Sequence, residues 1–146
     1  MNNKYKDLAA KTFLDSGDRE KNILHLQAGI LGEYGEIVDA MKKKIFTPQR
    51  FKDNLAEEWA DGMWYIAVWH SVLGRELYVE EVKPFIDTDN SNLKFLIHYA
   101  SVIQDCVEKR KLGVLTHSWM VLASILNIDA QVALDANIKK LQERYG

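Results

Sequence analysis

Two pairs of acidic residues stand three positions apart in this chain, Glu33 with Glu36 and Glu58 with Asp61. Residues three apart on a helix project from one face, so each pair is half of a carboxylate cluster. Four carboxylates gathered between packed helices repel one another, and the repulsion is relieved by raised pKa values or by a cation. Oxygen-only ligands select hard divalent ions, Mg²⁺ or Mn²⁺, and Mg²⁺ typically shares its coordination shell with water and phosphate oxygens. The chemistry suited to such a cluster is hydrolysis of a phosphoanhydride.

An isolated Glu-x-x-Glu usually belongs to a solvated face and pairs with lysines. Both pairs here are embedded in apolar sequence, with Ile30, Leu31, Ile37 and Val38 around the first and Trp59, Met63 and Trp64 around the second. Beside the first pair stand Gly29, Gly32 and Gly35. Each glycine in a helix interior costs roughly 0.5–1 kcal/mol relative to alanine, which implies a helix or ligand lying close to that backbone. A di-iron bundle would need Glu-x-x-His pairs. Asn22, Ala67, Phe95 and Val114 stand three positions before the four histidines, which excludes it.

The elements that must position these acids read as helices. The two prolines, Pro48 and Pro84, fall between helical stretches, and strand signals are sparse. Periodicity predicts helices over about Asn3–Asp15, Glu20–Phe46, Gln49–Leu73, Leu93–Arg110 and Thr116–Leu126, with a break at Gly113. Gly74 is the expected stop of the third helix, and Asp129 is the expected N-cap of a last helix reaching Tyr145. Arg75–Asn92 reads as irregular. The expectation is a single all-α domain, a bundle of five to six helices. Glu36 lies 11 positions before Thr47 and Glu58 lies 11 after it, so an antiparallel hairpin about Thr47 would bring the acid pairs level.

At 146 residues the chain can bury a core without disulfides, and its one cysteine, Cys106, permits no internal disulfide. A hydrophobic share of 47% and a formal charge of −2 give no electrostatic reason to expect nucleic-acid binding. With no apolar run long enough for a membrane span and no secretory leader, a cytoplasmic protein is expected.

The run His25-Leu-Gln-Ala-Gly-Ile-Leu-Gly-Glu-Tyr-Gly-Glu36, followed by Ile-Val-Asp-Ala-Met-Lys-Lys and then by Glu57-Glu58-Trp-Ala-Asp61-Gly-Met-Trp-Tyr65, resembles the MazG-type all-α nucleoside triphosphate pyrophosphohydrolases. Their signature is Glu-x-x-Glu, a spacer, then Glu-x-x-Asp. The spacer between Glu36 and Glu58 is 21 residues. The ending Asn137-Ile-Lys-Lys140-Leu-Gln-Glu-Arg144-Tyr145 is similar to that family's ending, and Tyr5, Ala9 and Thr12 to its opening. The resemblance spans about residues 3–74 and 120–145. It departs at Glu-Trp-Ala-Asp-Gly, where the family usually has Glu-Leu-Gly-Asp-Val, and at Gly146, where it usually has proline.

The resemblance implies that Glu33, Glu36, Glu58 and Asp61 bind Mg²⁺, with Mn²⁺ as a possible substitute, and that an NTP or dNTP plus water yields the monophosphate and pyrophosphate. Glu33 is the first choice for the base that deprotonates the attacking water, with a role purely as a ligand left open, and Glu57 is the other acid considered, in a neighbouring or surface position. Lys43, Lys44, Lys140 and Arg144 are candidates to hold phosphates, and His25 to touch sugar or base. Tyr5, Thr12, Trp59, Trp64 and Asn137 are candidates for a base pocket, although core packing is the stronger expectation for Trp64. The family's habit implies a homodimer or homotetramer. Two other readings stay open: a non-catalytic nucleotide sensor on the same fold, and a helical interaction protein whose glycines serve only packing.

Overall fold

The computed structural model of the protein describes residues 2–85 and 87–145. Among these residues there are six α-helices and no strand: α1 (Asn2–Thr12), α2 (Arg19–Phe46), α3 (Leu55–Val72), α4 (Asp89–Glu108), α5 (Leu112–Ile125) and α6 (Ala130–Tyr145). The expected all-α bundle is the observed fold. No single helix among them is long and apolar enough to cross a membrane. Gly146 lies outside the described residues.

Local chemistry fixes the helix ends. Asp18 caps α2 by accepting from the backbone N–H groups of Glu20 and Lys21, and Asp129 accepts from Val132 N–H at the start of α6, as its sequence position predicts. Gly74, with φ +66°, closes α3 while Arg75 N–H bonds back to His70 C=O. The same closure ends α4 and α5 without glycine. Arg110 (φ 56°) and Asn127 (φ 54°) take the left-handed position, and the following residues bond to Cys106 and Ala123 C=O.

Three boundaries differ from the periodicity. The break expected at Gly113 falls at Arg110, whose guanidinium is anchored by both carboxylate oxygens of Glu20, and Gly113 sits inside the first turn of α5. The fourth helix starts at Asp89 because the Thr88 hydroxyl caps it through Ser91 N–H. The third helix starts at Leu55, not Gln49. Pro48–Arg50 forms one 3-10 turn, and Asn54 N–H bonds to Lys52 C=O, so these groups are used locally before the first α-helical bond forms from Glu58 N–H to Asn54 C=O.

The central element is α3, which packs against α1, α2, α5 and α6, while α4 covers α2 and α5. Trp59 and Trp119 are both fully buried and exchange hydrogen bonds: Trp59 Nε1 donates to Trp119 C=O (2.7 Å) and Trp119 Nε1 donates to Trp59 C=O (2.8 Å). Each indole thereby satisfies its one donor inside the core. Nearby, buried His70 lies 2.8 Å through Nε2 from the Thr116 hydroxyl, which itself donates to Leu112 C=O. The imidazole is therefore the donor, and burial, then the charges of Arg75 and Lys6, push its pKa down to about 4.

The glycines divide by what they touch. A Cβ on Gly62 would fall 2.0 Å from the Trp119 ring, and one on Gly29 would fall 2.3 Å from the Tyr65 ring. A Cβ on Gly32 or Gly35 would meet nothing within 4 Å. Gly29 lies as far before Thr47 as Tyr65 lies after it, so the two helices do pair about that residue. We expect Gly62→Ala to destabilise by about 1–3 kcal/mol, since Trp119 is pinned and cannot yield. Gly29→Ala should cost less, because Tyr65 is only half-buried, and Gly32→Ala should gain about 0.5–1 kcal/mol. Urea denaturation midpoints of the three variants check the order.

Candidate metal centre

Antiparallel packing of α2 on α3 brings three of the four signature acids together. Glu33, Glu58 and Asp61, all half-buried, each present a carboxylate oxygen, and these atoms lie within 4.8 Å of one another. Glu36 stays exposed beside them. Helical geometry explains the difference: residues three apart are offset by about 60° around the axis, so when Glu33 points into the groove Glu36 leans toward its edge. Its charge still reaches Glu33.

Glu33 carries the strain of the cluster. Burial first, then a hydrogen bond with the Glu58 carboxyl and the charges of Asp61, Glu58 and Glu36, push its pKa up to about 8. Its Oε2 is buried without a hydrogen-bond partner. An acceptor oxygen left bare among other carboxylates is a position that could hold a cation, and an all-oxygen donor set suits a hard one.

Asp61 is held in place from two other helices. Tyr5 of α1, fully buried, donates its hydroxyl to Asn137 Oδ1 (2.7 Å), and Asn137 of α6 donates through Nδ2 to Asp61 Oδ1 (3.2 Å). Burial and the Asp61 charge raise the Tyr5 phenol far above its usual pKa, so it remains a donor. Lys140 Nζ lies 3.0 Å from Asp61 Oδ1 and 3.3 Å from Glu57 Oε1. Glu57 itself is exposed and reaches the centre only through that lysine.

One cleft of about 260 Å³ opens on the cluster, lined by Thr12, Glu33, Asp61, Trp64, Tyr65, Asn137, Lys140 and Arg144 among others. Trp64 Nε1 donates to the Thr12 hydroxyl (2.9 Å), and the Trp64 and Tyr65 rings meet edge to face at 4.9 Å. His25 is exposed at the rim, its ring 6.1 Å from Tyr65 and 5.3 Å from Phe13. A larger hollow of about 410 Å³, floored by alanines such as Ala60 and Ala136, lies on the other side of Lys140 and contains none of the clustered carboxylates. Concavity alone does not locate the chemistry here.

Trp59, Tyr5, Lys44 and Lys43 do not line the cleft on the cluster. Trp59 points into the core, locked to Trp119, so it does not shape the cleft. Tyr5 acts on Asp61 through Asn137 and is not part of the lining. Lys44 pairs with Asp89 of α4 (3.2 Å), and Lys43 pairs with Asp39 (3.0 Å) in a separate notch. Tyr65 is the residue the sequence reading passed over. It follows Asp61 by four positions, and that spacing signals a shared helix face.

No family model, curated protein or solved structure matches this chain. The likeness to MazG-type enzymes therefore rests on the sequence motifs alone.

The raised Glu33 pKa has a signed consequence. A carboxyl whose folded pKa exceeds its unfolded value contributes stability that is full below pH 4.5 and lost as pH rises through about 8. His70 has the opposite sign, losing stability as pH falls from 6.5 toward about 4, so above pH 6.5 the Glu33 effect stands alone of the two. We expect the melting temperature in chelator to fall between pH 6.5 and 8, and Glu33→Gln to flatten that slope. Mg²⁺ or Mn²⁺ should raise the melting temperature more at the upper pH. A flat metal-free curve with no response to either ion would sink the assignment.

Proposed function

We propose that the protein is a Mg²⁺-dependent nucleoside triphosphate pyrophosphohydrolase, converting an NTP or dNTP and water to the monophosphate and pyrophosphate. The observation that carries this reading is the convergence of Glu33, Glu58 and Asp61 within 4.8 Å, with a buried Glu33 oxygen that lacks a partner and an aromatic cleft on one side. Glu33, Glu58 and Asp61, with Glu36 beside them, would hold the ion. A bound divalent cation supplies neutralisation of the charge that builds on the phosphoryl oxygens.

The chain's own groups supply the rest. Water oxygen forms a bond to the α-phosphorus as the bond from that phosphorus to the α,β-bridging oxygen breaks. The bridging oxygen and its electron pair leave with pyrophosphate, and the water proton goes to a carboxylate. Glu33, half-buried against Glu58 and Asp61, is the candidate acceptor. Asn137 and Tyr5 fix the orientation of Asp61. Arg144, on the cleft wall, is suited to bidentate contact with phosphate, and Lys140 adds a point charge. Trp64 and Tyr65 offer ring faces and edges for a base, with Thr12 holding the indole in place.

We expect product chromatography, run over canonical and common noncanonical NTPs and dNTPs with Mg²⁺ or Mn²⁺, to show monophosphate and pyrophosphate. Asp61→Asn and Glu58→Gln should each lower turnover by about a hundredfold or more. Nucleotide binding without turnover would favour a sensor on this fold, and activity indifferent to both variants would overturn the metal centre.

The same reading includes a homo-oligomer. Leu24, Ala28, Leu31 and Gly35 recur at helical spacing along the exposed side of α2, with Leu24 65% and Leu31 39% exposed. Sedimentation should give at least a dimer for the native chain and a lower mass for Leu24→Glu with Leu31→Glu. A monomeric native chain at micromolar concentration would remove this part.

A further inference from the structure

The carboxylate cluster has a second neighbour, on the side away from the aromatic cleft. A notch of about 230 Å³ lies where the end of α2 meets the α2–α3 connection, and its walls include Glu36, Lys43, Arg50, Phe51, Lys52 and Asn54. It joins the cluster through two residues. Asn54 Nδ2 donates to Glu58 Oε1 (3.1 Å), and Glu36 lies close enough for its charge to act on Glu33.

The groove between α2 and α3 therefore has a chemical order. At one end are Phe13, Trp64 and Tyr65, in the middle the carboxylates, and at the other end three cations. The cations of the two ends differ in how far they are already used. Lys140, on the aromatic side, is held between Asp61 and Glu57. Lys43 pairs with Asp39, but among the described residues Arg50 and Lys52 form no ion pair, and both are exposed. Neither has a structural duty that would fix it where it stands.

We infer that this notch, through Arg50 and Lys52 with Lys43, is the pyrophosphate subsite, so that a nucleotide lies with its base toward Trp64 and Tyr65 and its terminal phosphates toward the α2–α3 connection. The inference rests on the pyrophosphohydrolase reading for its substrate, but the notch is testable by itself. Arg50 supplies a planar fork that matches two phosphate oxygens, and Lys52 a mobile point charge. Glu36, on the wall between notch and cluster, would share an ion with the phosphates that reach it. Periodicity in the sequence gives no hint of this, because Arg50 belongs to a 3-10 turn and Lys52 to the non-helical link after it.

The test uses the full chain with Mg²⁺ and titrates inorganic pyrophosphate by calorimetry into the native protein and into Arg50→Ala with Lys52→Ala. Both side chains are exposed, so unchanged melting temperatures are expected and are measured alongside. The native chain should bind magnesium pyrophosphate, and the double variant should bind it about tenfold or more weakly while its affinity for nucleoside monophosphate stays the same. Arg50→Lys with Lys52→Arg should restore part of the loss. No pyrophosphate binding by the native chain, equal binding by the double variant, or loss of monophosphate binding alone would each overturn the subsite. Failure of hydrolysis with every triphosphate, alongside pyrophosphate binding that depends on Arg50 and Lys52, would refute the enzymatic reading and leave the subsite standing.

Discussion

Much of the molecule depends on how α3 is held. The reciprocal hydrogen bonds between Trp59 and Trp119 tie the α3 backbone to α5 at two points, and the Trp119 ring lies so close to Gly62 that no side chain fits between them. A donor–acceptor exchange of this kind is strong in a dry core, where neither indole N–H has water as an alternative. It also fixes rotation. Asp61 follows Trp59 by two positions, about 200° around the helix, so burying the tryptophan against α5 turns the aspartate away from it. The carboxylate face is set by a contact on the opposite side of the same helix.

That face then meets α2, and the meeting is electrostatically uncomfortable. Glu33, Glu58 and Asp61 are too close for all to ionise freely, and a buried Glu33 oxygen has no donor. The structure meets the repulsion in three ways. Glu33 holds a proton toward neutral pH, Lys140 approaches Asp61, and the Tyr5–Asn137 relay donates to the same Asp61 oxygen from two helices distant in sequence. Groups that absorb repulsion without a cation would also hold these acids at fixed positions for one, which would limit the cost of binding it.

The two ends of the α2–α3 groove differ in kind. Flat, polarisable rings stand at one end and Lys43, Arg50 and Lys52 at the other, with carboxylates between them. Such an axis favours a ligand that is itself polarised along its length, apolar and planar at one end and multiply charged at the other. The hollow beyond Lys140 is roomier but has no comparable gradient.

Much of this was legible in the sequence. Helical periodicity, two prolines and capping residues such as Asp18 and Asp129 gave an all-α chain, because these signals act within a few residues. The pairing of α2 with α3 about Thr47 was also legible, since a short link between long helices leaves few arrangements. Glu33 and Asp61 were picked out by type and spacing, and Asn137, Lys140, Arg144 and Thr12 by the resemblance alone, and the structure gathers all six at one cleft. Tertiary packing alone decided the rest. It sent Trp59 into the core, turned Glu36 to the edge, gave Tyr5 an indirect role, and assigned Gly29 and Gly62 to aromatic neighbours while leaving Gly32 and Gly35 open. Those outcomes depend on which of several nearly equivalent faces a helix buries. That choice is made by partners 36 to 132 positions away, such as Tyr65 for Gly29, Trp119 for Trp59 and Asn137 for Tyr5, and no local pattern in the chain encodes it.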